Sequence, residues 1–192
     1  FARALADGRT YEMTSRDQRR SVRGPSKLEL TPPCTNDNTK LPFMLFYFAY
    51  GSNLDPTQMQ NRCPDSHPLS PAWLPNHRLA FTRYSSAWQC GVADIVATPN
   101  SQVWGLLYQI SPADLKNLDH YEGYPNAYTR LQTNIHTKEA IRPDVWVYTV
   151  CEKGEFITPK AVYLDIIKKA ATTYSYPDHY RDFLARIPVA DA

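Results

Sequence analysis

The run Phe46-Tyr47-Phe48-Ala49-Tyr50, preceded by Met44 and Leu45 and cut off by Gly51-Ser52-Asn53-Leu54, constrains this chain more than any other stretch. Its aromatic residues, beside Leu45 and Met44, favour a buried, sheet-bound strand. Gly51 then permits a sharp turn, and Ser52 and Asn53 bring short hydrogen-bonding side chains. Asp55-Pro56-Thr57-Gln58 carries a helix-start signal, with Asp55 as N-cap, Pro56 at the first helical position and Gln58 reaching back. Strand, glycine turn and helix start follow one another closely. Such a turn leaves backbone N–H groups without intrachain partners, and these can hold a carboxylate, a phosphate or a developing oxyanion.

The 192 residues suffice for one ordinary domain with its own core, expected over residues 41–192, behind a polar arm at 1–40. The arm has eight basic and five acidic residues, few aliphatics and the break Pro32-Pro33, a composition expected to stay disordered or loosely ordered. Overall charge is +2, from 21 basic and 19 acidic residues, without a concentrated basic stripe, so no nucleic-acid partner is expected. The longest apolar segment, Leu41 to Tyr50, is too short to span a bilayer, which argues against a membrane role. Cys34, Cys63, Cys90 and Cys151 lack the close pairing of zinc or thiol-redox motifs and read as isolated, reduced thiols. With neither a secretory-type segment nor an Asn-x-Ser/Thr sequon in the sequence, the cytoplasm is the expected compartment.

Further β-like runs cover His77 to Thr82, Gly91 to Thr98, Val103 to Ile110, Tyr128 to His136 and Val145 to Cys151. Pro99-Asn100-Ser101-Gln102 reads as a hairpin turn, and Pro64, Pro68, Pro71 and Pro75 as a stiff connection wrapping the surface. Ser111-Pro112-Ala113-Asp114 opens a short helix that turns Leu115 and Leu118 inward, and Gly123 with Pro125 closes it, delivering Glu122 at the helix end. Thr158-Pro159 opens a helix with apolar residues Val162, Tyr163, Ile166, Ile167 and Ala170, and Pro177 opens another carrying Tyr180, Phe183, Leu184 and Ile187. About six strands with helices between and after predict an α+β domain: a small mixed, barrel-like sheet with flanking helices. No dinucleotide or Walker-type glycine loop is present, and nothing like a heptad seam indicates an oligomeric state.

Glu122, flanked by Tyr121, Tyr124 and Tyr128, is a candidate general base whose pKa an aromatic collar would raise by desolvation; the competing reading is a solvated helix-end glutamate. Ser52 lacks a Gly-x-Ser-x-Gly elbow and reads as a turn former rather than a nucleophile. The five histidines lack the paired spacing of a helical metal site, so no metal is assigned. By periodicity alone, Tyr148 and Tyr163 read as core aromatics.

Two separated motifs change those odds. Tyr47-Phe48-Ala49-Tyr50-Gly51-Ser52-Asn53-Leu54 resembles the signature loop of the γ-glutamylcyclotransferase family, and Leu118-Asp119-His120-Tyr121-Glu122-Gly123 resembles its catalytic glutamate segment. Their order and spacing, with Val103-Trp104-Gly105 between them, are also similar, and the likeness spans roughly residues 44–186. The resemblance implies an enzyme in which a substrate's α-amine attacks its own γ-carbonyl, giving 5-oxoproline and releasing an amino acid or amine, without metal or organic cofactor. It further implies Glu122 as acid/base, Tyr50, Gly51, Ser52, Asn53 and Leu54 as the cradle for the glutamyl group, and Tyr128, Tyr148 and Tyr163 around the pocket. Ser52-Asn53 favours the type acting on γ-glutamyl amino acids, while Tyr124-Pro125-Asn126 and the Pro64 to Pro75 stretch depart from the glutathione-cycle members. Alternatives are a γ-glutamylamine cyclotransferase, a biosynthetic γ-glutamyl-removing enzyme, a catalytically silent small-molecule binder, and an interaction protein with a Tyr-rich surface.

Overall fold

The aromatic run forms β1 (Leu45–Ala49), which closes a five-stranded barrel by pairing antiparallel with β3 (Cys90–Ile110) on one side and parallel with β5 (Ile141–Val150) on the other. β2 (His67–Ser85) and β4 (Tyr128–His136) complete the order β1-β3-β2-β4-β5. This computed structural model describes residues 44–190; the expected arm at 1–40 and Cys34 lie outside them. Among the described residues, four helices flank the barrel: α1 (Pro56–Arg62), α2 (Pro112–Glu122), α3 (Ala161–Thr173) and α4 (Asp178–Ala185). The mixed, barrel-like sheet with helices around it is the fold class the sequence predicts, with five strands among the described residues where about six are expected.

Two expectations about the middle of the chain are corrected. The proline-spaced stretch after Cys63 is not a connection beyond Ser66: it is the first half of β2, paired with the Val103–Ile110 half of β3. Its prolines fit because the ladder is irregular, with register shifts between Pro68 and Ser70 and between Pro75 and His77. Pro99 to Gln102 is likewise no hairpin turn. The runs on either side of it both pair with β2 (Arg78↔Val96 before, Leu74↔Val103 after), so they belong to one strand with an irregular stretch in its middle. Asn100 adopts a left-handed φ of 60° there, and its N–H donates to Asn76 Oδ1 across the ladder at 3.3 Å.

Phe48, Leu106, Ile110, Val145 and Val147, from both faces of the sheet, are each buried and form one core with Leu164 and Ile167 from α3. Each such side chain contributes about 1.5–3 kcal/mol on burial. α3 starts at Ala161 behind a Lys160 N-cap, later than Thr158-Pro159 suggests, and this phase turns Val162 out to solvent while Tyr163 goes in. Among the described residues, no helix is long and apolar enough to cross a membrane.

Candidate active site

α2 is built to present its last residue. Ser111 and Asp114 form a reciprocal capping box, Pro112 occupies the first turn, and Gly123 ends the helix at a left-handed φ of 65°. Leu115, Leu118 and Glu122 are spaced to share one helical face, so seating the leucines in the core sends the Glu122 carboxylate inward. There it meets the loop after β1, where Ser52–Leu54 makes a single tight helical turn.

Asn53 is the hub of this meeting. Its Nδ2 donates to Glu122 Oε1 at 3.0 Å and to the Tyr47 hydroxyl at 2.9 Å. Its Oδ1 accepts from Gln58 Nε2 at 3.1 Å and from Arg62 Nη1 at 2.7 Å. Two acceptors on one end and two donors on the other leave only one orientation of the amide. Gln58 and Arg62 are four residues apart on α1 and therefore share a face, and Asp55 caps that helix by accepting from the Gln58 N–H at 2.7 Å. The Gln58 side chain, expected to reach back to the cap, reaches instead to Asn53.

Burial raises the Glu122 pKa above its ordinary 4.5, against the smaller opposing pulls of the Arg62 guanidinium, 3.8 Å from Oε1, and of the Asn53 hydrogen bond. Of the collar expected from Tyr121, Tyr124 and Tyr128, Tyr128 is a half-buried wall of the cleft that holds Glu122, and the other two lie outermost. Both rings are largely exposed and lie over arginines, Tyr121 on Arg62 at 4.8 Å and Tyr124 on Arg130 at 5.0 Å. Glu122 sits in the wall of this cleft of about 390 Å³, which it shares with Tyr47, Tyr50 and the loop.

Of the residues expected at the site, Tyr50, Gly51, Ser52, Asn53, Glu122, Tyr128, Tyr148 and Tyr163 all line this cleft. Leu54 does not: it points into the core and is buried there. The tyrosine hydroxyls are largely committed to the scaffold. Tyr50 donates to the Tyr148 carbonyl at 2.7 Å, Tyr128 to the Ala93 carbonyl at 3.0 Å, and Tyr148 to Asp119 Oδ1 at 2.7 Å. Tyr163 accepts from the Ala93 N–H at 3.0 Å. Burial drives the pKa of all four far above the ordinary tyrosine range, so they are neutral walls. Gly51 suits a close approach, since a Cβ there would stand 3.1 Å from Ala93 Cβ and 3.2 Å from the Tyr163 hydroxyl and would push one of them back by a few tenths of an ångström. The loop's own bonds use the Leu54 and Asp55 N–H groups, whereas those of Gly51 and Asn53 find no acceptor among the described residues.

Sequence reasoning missed Tyr47 as a site residue, along with Arg62, Arg83 and Trp88, which also line the cleft. Arg62 could have been found from its four-residue spacing to Gln58 on a helix entered directly from the loop. Arg83 and Trp88 come from the end of β2 and the β2–β3 turn, and nothing local marks them.

A small barrel carrying a strand-loop-helix cradle opposite a helix-end glutamate defines a recognisable class. The chain belongs to the gamma-glutamyl cyclotransferase, AIG2-like family, whose model matches residues 47–181. It is similar to the gamma-glutamylcyclotransferase of Bos taurus, 29% identical over 150 residues covering 76% of this chain and 79% of that protein. The Homo sapiens gamma-glutamylcyclotransferase is also 29% identical with the same coverage. A solved gamma-glutamyl cyclotransferase structure superposes with a TM-score of 0.72 at 27% identity, covering 78% of this chain and 90% of that one.

Proposed function

We propose that this chain is a γ-glutamylcyclotransferase, converting the γ-glutamyl group of a small molecule to 5-oxoproline with release of the attached amino acid or amine. The observation that carries this reading is the Glu122 carboxylate, held by Asn53 and Arg62 in one cleft with the Gly51 to Asn53 loop, its basicity raised by burial. Glu122 takes the proton of the substrate's α-ammonium. The freed amine attacks the γ-carbonyl carbon, forming the ring C–N bond. The tetrahedral intermediate then collapses by breaking the bond to the leaving nitrogen, which receives the proton from Glu122, and the ring nitrogen loses its second proton to the freed Glu122 carboxylate, leaving the lactam N–H. The free N–H groups of Gly51 and Asn53 suit a glutamyl oxygen. Because the attack is intramolecular, folding the substrate in the cleft supplies most of the advantage, and effective molarities of about 10⁵ M or more reward such positioning. A cytoplasmic setting fits the unpaired thiols Cys63, Cys90 and Cys151.

The test is to incubate the protein with a panel of γ-glutamyl amino acids and γ-glutamylamines and measure 5-oxoproline by mass spectrometry. Product is expected; none from any member would leave a catalytically silent binder. A second expectation concerns pH. The base must be ionised, so kcat/KM falls as pH drops through the raised Glu122 pKa, above where an ordinary carboxylate would set the acid limb. Arg62→Ala removes the cation that favours the ionised form, so its acid limb moves to higher pH in a pH–rate profile. A limb that stays in place or moves to lower pH would refute the Arg62 assignment.

A further inference from the structure

The cleft holds two arginines in different electrostatic states. Arg62 is committed to Asn53 and Glu122 and covered by the Tyr121 ring. Arg83, half-buried on the opposite wall-forming strand β2, makes no ion pair, side-chain hydrogen bond or cation–π contact among the described residues. Its direction is set by a bulge: the ladder passes from Phe81↔Ala93 to Arg83↔Val92, leaving Thr82 as the extra residue. Thr82 then turns into the core, where its hydroxyl donates to Asp94 at 2.7 Å, and Arg83 lines the cleft. Arg83 acts electrostatically on Tyr128, whereas the cation that acts on Glu122 is Arg62. Arg83 shares the cleft lining with Tyr128 and is close in sequence to the turn that carries Trp88.

Resting on the cyclotransferase reading, we propose that Arg83 is a specificity-determining residue that binds the carboxylate of the departing amino acid, so that this cleft prefers γ-glutamyl amino acids to γ-glutamylamines. A γ-glutamyl amino acid carries one ammonium and two carboxylates. The glutamyl carboxylate has the free N–H groups of the loop, and the second needs a cation of its own. Arg62 and Glu122 cancel, so Arg83 gives the cleft a net positive charge that complements the net negative charge of this substrate. A γ-glutamylamine is neutral overall and leaves Arg83 unused. The half-buried Trp88 ring, edge-on to Tyr163 at 5.0 Å, offers an apolar surface on the same side for the leaving residue's side chain.

The experiment compares kcat/KM for γ-glutamyl-alanine and for γ-glutamylethylamide, which is the same molecule without the leaving-group carboxylate, in the native protein, Arg83→Gln and Arg83→Lys. The native protein is expected to favour γ-glutamyl-alanine. Arg83→Gln lowers the ratio between the two substrates by about 10- to 100-fold, the worth of a hydrogen bond to a charged group, mainly through KM. Arg83→Lys keeps the charge and restores part of the ratio. An unchanged ratio in Arg83→Gln, including an equal loss on both substrates as expected if Arg83 held the glutamyl carboxylate, overturns the inference and leaves the cyclotransferase reading standing. Absence of 5-oxoproline from both substrates in the native protein overturns that reading and this inference with it.

Discussion

Glu122→Gln is expected to lower kcat by about 10²- to 10⁴-fold while leaving the folded protein at least as stable at pH 7. The rate term follows from the proposed role of Glu122 in accepting and returning the proton. The amide keeps an oxygen able to accept from Asn53 Nδ2, so the hub around Asn53 survives. The stability term follows from the sign of the pKa shift. Burial raises the native Glu122 pKa above its ordinary 4.5, so on raising the pH the unfolded carboxyl ionises first. Between the ordinary and the raised value the native state binds more protons than the unfolded one, and stability falls with rising pH across that window. Above it the native protein carries a constant penalty for an ionised buried carboxylate, and glutamine removes it. Single-turnover kinetics and thermal denaturation at pH 7 and pH 4 test both halves. Turnover within tenfold of the native protein would take the acid/base role away from Glu122. A clear drop in Tm at pH 7 would show that Arg62 and Asn53 outweigh the desolvation.

The halves of this site were legible in the sequence to different degrees, for physical reasons. Glu122 and the Tyr50 to Asn53 loop are each fixed by strong local signals: a capping box and a left-handed Gly123 for the one, an aromatic strand broken by Gly51 and an Asp-Pro helix start for the other. Local signals place a residue at an element's end but do not say what it touches. Leu54, one residue beyond the loop, goes to the core because the tight turn at Ser52–Leu54 rotates it away. The tyrosines belong to the cleft through their rings, while their hydroxyls serve the backbone of Ala93 and Tyr148 or the Asp119 carboxylate. Arg83 depends on a one-residue bulge, and bulges depend on long-range pairing that no local pattern encodes. The prolines of β2 mislead for the same reason. They argue against a regular ladder, and the ladder is in fact irregular at Pro68 and Pro75.

The second large effect lies outside the cleft, at Asp94. This carboxylate is fully buried and collects four donors: the Thr82 and Thr149 hydroxyls at 2.7 and 2.9 Å, the Val150 N–H at 2.9 Å and Lys153 Nζ at 2.6 Å. Breaking a buried, hydrogen-bonded pair by removing one partner costs about 3–5 kcal/mol. The Lys153 end is 36% exposed and can regain water, which puts Asp94→Ala near the lower end of that range. The remaining cost comes from the Thr82 hydroxyl and the Val150 N–H, buried and left without an acceptor. For a domain of this size, the expected fall in Tm is roughly 10 °C. Lys153→Met keeps the stem and three donors on the carboxylate but leaves a fully buried charge without its cation, so it is expected to destabilise as well. The consequence reaches the site because Asp94 ties β3 to β5 one residue beyond Ala93, the residue that orients Tyr128 and Tyr163, and two beyond Tyr148 on the partner strand. Below its lowered Tm, Asp94→Ala should therefore also raise KM, with kcat less affected because Glu122 and Asn53 hang from α2 and the β1 loop. A Tm within about 2 °C of the native value would mean that water replaces the carboxylate at little cost, and that the barrel does not depend on this clip.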